Sequence, residues 1–247
     1  MKILITGASS GIGRSLALFY AKQNNHLILL ARRKNLLDEL AIEIESKGAT
    51  AQVFEIDLSD LNAVQNLATN IDAPDLIILN AGISLGHSSE FSTLKEFKNL
   101  MNVNFLSIHA LLEPLIPKLK TNSKIVFISS LASIFSMPSS IAYSSSKRAI
   151  NAYAQGLRLY LKPKSIHVIN ILPGFIDTEM TKKNNFSMPF FMNLENGTNK
   201  IVKAIDKNRA CNPFPIRFYI FIRLLTFLPY FLRDRIVLSL NKKKGIM

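Results

Sequence analysis

The chain has 247 residues, 48% of them apolar and 19% charged, with a net charge of +13. These values suit one large domain or two small ones and exclude a disordered or collagen-like chain. A single cysteine, Cys211, excludes an internal disulfide, argues against a cysteine-based zinc site and fits a reducing, cytoplasmic setting.

The first apolar run is broken by Gly7 and Gly11 after a few residues, so no secretory signal is read there. Apolar runs at 2–6, 26–31, 51–56, 75–80, 124–129 and 166–172 predict six strands. Helical spacing predicts helices over 12–23, 35–47, 60–71, 92–119, 143–161 and 195–207. Pro114 and Pro117 predict a bend or fray near the end of the longest one, and Pro163 stops the helix over 143–161. The strand runs are continuous rather than alternating, as in a parallel sheet covered on both faces. Strand–helix alternation with short loops then predicts a single doubly wound, Rossmann-like α/β domain over 1–212.

Charge is spread unevenly. Residues 207–247 hold nine Lys/Arg against Asp234 alone, for +8, while residues 1–206 carry +5. This argues against nucleic acid as a partner and for a basic, apolar C-terminal helical extension over 213–247 that is not a domain of its own.

Thr6-Gly7-Ala8-Ser9-Ser10-Gly11-Ile12-Gly13 joins the first strand to the first helix. Glycines there let a pyrophosphate approach the backbone, and the helix start offers free N–H groups and a positive dipole end. The GxxxGxG spacing is a variant of the dinucleotide fingerprint, with a plain tight turn as its alternative. An NAD-specific chain would place an acid near the end of the second strand. This chain has Ala31-Arg32-Arg33-Lys34, and Arg14 follows the Gly turn. Guanidinium groups at Arg14 and Arg32 suit a 2′-phosphate, which predicts NADP(H); a solvated basic helix start is the alternative. Asp57, before Leu58, ends the third strand and could accept from an adenine amino group or cap the next turn. Asn80-Ala81-Gly82 ends the fourth strand, where small residues allow a ligand close.

Tyr143 and Lys147 stand one helical turn apart. A nearby ammonium favours the phenolate, so the pair reads as an acid/base for a carbonyl–alcohol interconversion. Ser130, thirteen residues before Tyr143, could steady the reacting oxygen, or it and Ser129 could cap the loop. Asn104 lies within the long helix, where it could hold a water linked to Lys147 or be a satisfied core amide. His26, His87, His109 and His167 have no metal-ligand spacing, and the serines lack a GxSxG elbow.

Residues 2–180 together resemble the short-chain dehydrogenase/reductase family. The resemblance runs through Thr6 to Gly13, Asp57, Asn80-Ala81-Gly82, Asn104, Ser130, Tyr143, Lys147 and Pro173-Gly174 with Thr178. It implies a catalytic tetrad in which Asn104 supports a proton-relay water and Ser130 orients the carbonyl. Tyr143 is then the acid/base, and Lys147 lowers its pKa and binds the nicotinamide ribose. Pro173, Gly174 and Thr178 match the segment that contacts the nicotinamide. The implied partners are NADP(H) and a small-molecule carbonyl or alcohol, and the implied assembly is a homo-oligomer, dimer or tetramer.

The chain departs from the family at its end. A seventh strand is readable only weakly around 209–214, broken by Pro213 and Pro215. The extension has nine uncharged residues between Arg223 and Arg233, against about 20 needed to span a bilayer. Three readings stay open for it: a helix over the substrate pocket or a dimer interface, a membrane-surface segment aided by Lys242-Lys243-Lys244, or a partner-binding helix. Residues 179–194, with Met180, Phe186, Met188, Pro189, Phe190, Phe191 and Met192, are expected to form an apolar lid over a lipophilic substrate. The rival readings are a non-catalytic NADP-binding regulator and a membrane-surface scaffold.

Overall fold

The computed structural model describes residues 1–85, 91–183 and 188–242. Its strands are β1 (Lys2–Thr6), β2 (His26–Ala31), β3 (Thr50–Glu55), β4 (Leu76–Leu79), β5 (Lys124–Ile128), β6 (His167–Pro173) and β7 (Cys211–Phe214). They form one sheet in the order β3-β2-β1-β4-β5-β6-β7, and every neighbouring pair is parallel. The fold is therefore the Rossmann-like α/β architecture expected. Among the described residues β7 pairs only with β6, so it is an edge strand, where a proline costs no ladder bond. The 212/213 boundary drawn from the sequence falls inside this strand.

Alternating side chains of each strand feed two separate cores, as the period of two demands. Ile3, Ile5, Leu27, Leu29, Val126 and Ile128 pack on one face against α1 (Gly11–Tyr20), α2 (Lys34–Glu45) and α7 (Leu194–Asp206). Leu4, Ile28, Leu30, Ile125 and Phe127 pack on the other against α3 (Leu61–Asn70), α5 (Ser107–Leu115) and α6 (Ile141–Leu161). With both faces buried the strands have no polar side to show, which explains their unbroken apolar runs.

The long helix expected over 92–119 is divided. α4 (Leu94–Met101) opens on a Thr93/Glu96 capping box, a π turn follows over Asn102–Leu106, and α5 carries Pro114 before a 3-10 turn at Ile116–Lys118. The first helix ends at Tyr20, earlier than the apolar pattern suggested. Beyond β7 the chain forms α8 (Ile216–Phe227) and α9 (Tyr230–Lys242). Among the described residues no helix is long and apolar enough to cross a membrane.

Because β1 lies between β2 and β4, the chain reverses its winding there, and a crevice opens at the carboxyl ends of these strands. The Gly turn leaves β1, Arg32 follows β2, Asp57 follows β3, Asn80 follows β4 and Ser129 follows β5. One edge of the sheet thus collects the polar residues singled out in the sequence.

Candidate active site

A cleft of about 470 Å³ lies along that edge. Gly7, Ser9, Ser10, Gly11 and Ile12 line one end of it, and Ser130, Tyr143, Lys147, Pro173, Gly174 and Thr178 also line it. Arg32, Asp57, Leu58, Asn80, Ala81 and Gly82 complete the expected set that the cleft brings together. Thr6, Gly13, Arg14 and Asn104 are not among the lining residues, and each has other partners.

Thr6 is buried, and its Oγ1 accepts from the backbone N–H groups of Asn80 and Ala81, both at 3.0 Å. The Asn80 amide donates to the carbonyls of Thr6 (3.1 Å) and Gly7 (3.3 Å). The two strand ends beside the crevice are thereby tied together. Gly7 has φ +66°, and a Cβ there would lie 2.9 Å from the Ala81 Cα. Gly13 sits beneath the turn, where a Cβ would collide with the Gly7 carbonyl. The turn's shape therefore depends on glycine at both places.

The basic rim differs from the one expected. Arg14 turns away and pairs with Glu43 of α2 at 2.6 Å. Its position at the helix start gave charge but not direction. Arg33, which the sequence reading left out of the site, faces the cleft instead. Its guanidinium donates to Ser9 Oγ (3.2 Å) and Ser10 Oγ (2.6 Å) and pairs with Glu179 at 3.0 Å. This clasp joins the Gly turn to the segment after β6. Arg32 lines the cleft, is exposed, and has no hydrogen bond to the described residues. Asp57 lies beside it and accepts from Ser59 N–H at 2.9 Å, a turn-capping bond. That bond, with Arg32 nearby, holds its carboxyl below the usual range despite partial burial.

At the other end, α6 delivers Tyr143 and Lys147 on one face. Lys147 is buried, and its Nζ donates to the Ile128 carbonyl at the end of β5, 2.9 Å away. Ser129 fixes the same junction by donating to Asn151 Oδ1 at 2.8 Å. Burial brings the Lys147 ammonium down to about 8. The Ser130 hydroxyl lies near Tyr143, and Ser130 Oγ accepts from Ala132 N–H at 3.1 Å. The Lys147 Nζ lies 5.7 Å from the Tyr143 ring centroid. The expected lowering of Tyr143 does not prevail. Burial pushes the phenol up, and the nearby Ser130 hydroxyl offsets only part of this. In the protein alone Tyr143 is a phenol at neutral pH.

Asn104 is fully buried at the centre of the π turn. Its Oδ1 accepts from Ile83 N–H (2.7 Å), and its amide donates to the Ile83 carbonyl (2.9 Å) and Ser146 Oγ (3.0 Å). A Cβ on Gly82 would stand 3.5 Å from both Asn104 Oδ1 and Lys147 Nζ, so these groups flank the same small residue. One extra residue in a helical turn re-aims the side chains within it, and such turns recur at functional sites. Composition carries no mark of this insertion.

Of the expected lid, Met180 lines the cleft together with Glu179 and Thr181. Met192 is instead tied to the fold, exchanging backbone bonds with Phe175 and Asp177 and packing on the core. Phe190 packs against Phe218 of α8, with ring centroids 5.8 Å apart. The Thr178 backbone N–H donates to Thr181 Oγ1 at 2.9 Å. Phe186, His87, Lys243 and Lys244 lie outside the described residues. His26 meets Thr50 Oγ1 at 2.8 Å and His109 meets the Tyr153 hydroxyl at 3.0 Å, both away from the cleft.

Comparison with known proteins gives the family. The family model for short chain dehydrogenase matches residues 1–188. An uncharacterised oxidoreductase of Myxococcus xanthus is 30% identical over 232 residues, covering 92% of both chains. A fatty acyl-CoA reductase of Acinetobacter baylyi is 32% identical over 185 residues, 72% of this chain and 63% of that one. A short-chain dehydrogenase of Sphingobium yanoikuyae, solved with NADPH, superposes with a TM-score of 0.78 at 27% identity, covering 87% of each chain. The chain belongs to the short-chain dehydrogenase/reductase family, whose members are oxidoreductases that use a nicotinamide cofactor.

Proposed function

We propose that this short-chain dehydrogenase is an NADP(H)-dependent carbonyl reductase or alcohol dehydrogenase acting on a lipophilic small molecule, with Tyr143 as its acid/base. One continuous cleft carries the proposal, lined by Ser130, Lys147 and a half-buried Tyr143 and by an Arg32 without a side-chain hydrogen bond to the described residues.

The cleft's residues fit NADP(H). The glycine cradle of Gly7, Gly11 and Gly13, with Ser9, Ser10 and Ile12, suits a pyrophosphate. Arg32 and Arg33 stand where an acid would select NAD, and a 2′-phosphate suits their guanidinium groups. Asp57 and Leu58 would border the adenine, Asn80-Ala81-Gly82 the ribose side, and Pro173, Gly174 and Thr178 the nicotinamide. The related enzyme solved with NADPH supports the same reading. When bound, the cofactor supplies a hydride to the carbonyl carbon.

The chain's own groups handle the proton. Ser130 holds the substrate oxygen by its hydroxyl, and Tyr143 gives that oxygen its phenolic proton. Lys147, an acid of pKa about 8, is stronger than the phenol and can return the proton to Tyr143. Asn104 is a positioning residue here: it fixes Ile83 and Ser146 beside Lys147. In the alcohol direction each proton step runs backwards.

The substrate class rests on Ile83, Val103, Ile176 and Met180, which give the cleft apolar walls. The fatty acyl-CoA reductase among the relatives supports it. We further propose that the catalytic domain extends through β7, that the chain assembles as a homo-oligomer, and that it works in the cytoplasm, where the free thiol of Cys211 stays reduced.

The test is NADPH oxidation against long-chain aldehydes and ketones, 3-oxoacyl thioesters, steroids and sugars, with Tyr143→Phe as control. Turnover of the long-chain carbonyls that vanishes in the variant is expected. Preference for small polar sugars would overturn the substrate class. Bound NADPH without turnover of any carbonyl would overturn the catalytic reading in favour of a regulator.

A further inference from the structure

Helix α8 is apolar on two sides. Phe218, Tyr219 and Ile222 face the body, packing with Leu131 and Leu172. Phe218 also stacks on Phe175 at 6.2 Å and meets Phe190 at 5.8 Å, which fixes α8 to the segment beside the cleft. The opposite stripe, Ile216, Ile220, Leu224 and Phe227, follows the helical repeat and is exposed. Phe227 is 74% exposed and Leu224 62%. The exposure continues at Tyr230 and Phe231 of α9. Half of the exposed large apolar side chains among the described residues fall within 216–238.

A surface helix normally presents polar residues outward. A continuous apolar stripe there marks a face that something covers. Charge identifies what. Arg217, Arg223, Arg233 and Arg235 stand against Asp234 alone between residues 216 and 239. Arg223 and Arg233 line a groove with Arg148 beside this face. A second copy docked about a two-fold axis would set like charges against like. An anionic lipid surface accepts both features: the apolar stripe enters the acyl boundary and the exposed guanidinium groups of Arg217, Arg223 and Arg235 reach the phosphates, while Arg233 packs over Phe135 and Tyr230.

We propose that α8 and the start of α9 form a docking surface for an anionic lipid membrane. The helices are too short to span, so the chain lies on the surface. Through Phe218, Phe175 and Phe190 the docked face adjoins the segment that follows β6 beside the cleft. A lipophilic carbonyl, as proposed above, would then reach the cleft from the bilayer side. The docking itself rests only on the outer face.

The chain has no tryptophan, so a single introduced one reports its own surroundings. Phe227→Trp in the full-length protein is compared with Phe91→Trp, whose site is 83% exposed elsewhere. With phosphatidylglycerol–phosphatidylcholine vesicles at low salt, the emission of Phe227→Trp should shift to the blue and be quenched by brominated lipid, while that of Phe91→Trp should not. Binding to pure phosphatidylcholine, or at high salt, should be at least about tenfold weaker. Arg217→Gln with Arg235→Gln should lower binding similarly and leave NADPH oxidation unchanged. An unmoved spectrum with anionic vesicles would overturn the proposal, as would equal binding to neutral ones. A doubled mass without lipid, with the emission of Phe227→Trp already blue-shifted, would assign the face to a second copy. The vesicle-binding and mass outcomes are read without turnover, so failure of the catalytic reading leaves this test standing.

Discussion

The carboxyl edge of the sheet and the C-terminal helix pair contrast in how their side chains are committed. At the edge nearly every polar group has a partner: Thr6 holds Asn80 and Ala81, Asn104 holds Ile83 and Ser146, and Lys147 holds Ile128. Arg32 lines the cleft without a side-chain hydrogen bond to the described residues. On α8 the inward stripe is packed and the outward stripe is bare. The edge is thus shaped in advance for chemistry, whereas the helix pair is only half satisfied by its own chain. Substitutions in one region should therefore leave the other's behaviour intact.

The sharpest break is Tyr143→Phe. It removes one hydroxyl, so NADPH affinity and vesicle binding should persist while kcat falls by about 10²- to 10⁴-fold. A variant that kept most of its turnover would detach the proton step from this residue. Next in size is Lys147→Met, read by stability rather than activity. Burial holds the Lys147 pKa at about 8 against an ordinary 10.5. Between these values the unfolded chain binds the proton and the folded one releases it, so stability rises with pH across that window. It is lost as pH falls through 8. The shift corresponds to about 3 kcal/mol, which Lys147→Met should remove from the difference between pH 10.5 and pH 7. Denaturant unfolding at both pH values measures it, and an unchanged difference would mean the ammonium stays solvated.

How much was legible in the sequence follows the same division. The strand ends, the Gly turn, and Ser130, Tyr143 and Lys147 could be read because each depends on local spacing or on its place after a strand. The π turn could not, since an inserted residue keeps the apolar pattern helical; yet it is what surrounds Asn104 with Ile83 and Ser146. Arg14 and Arg33 exchanged expectations because sequence gives a charge its position but not its direction. On α8 the apolar content was plain, but which stripe faced the body depended on Phe175 and Phe190, far away in the chain. The desolvation of the half-buried Tyr143 was likewise invisible, and it reverses the direction of the phenol's shift.

The arginines give the finest test, because they differ in commitment and not in charge. Arg32→Asp places a carboxylate at the cleft where a 2′-phosphate would be repelled. Losing a charge-assisted bond and gaining that repulsion should cut the preference for NADPH over NADH by about 10- to 100-fold. Arg14→Gln removes the same charge one helix away, but Arg14 is already paired with Glu43 in a half-exposed bridge. Such a pair contributes about 0–1 kcal/mol to stability, and its loss should leave cofactor selectivity where it was. Comparing both variants by NADPH and NADH titration separates a local contact from a general field. If Arg14→Gln moved selectivity as far as Arg32→Asp, the preference would come from the summed positive potential of the rim. If only Arg32→Asp moves it, the second phosphate is read by the guanidinium that the fold leaves uncommitted.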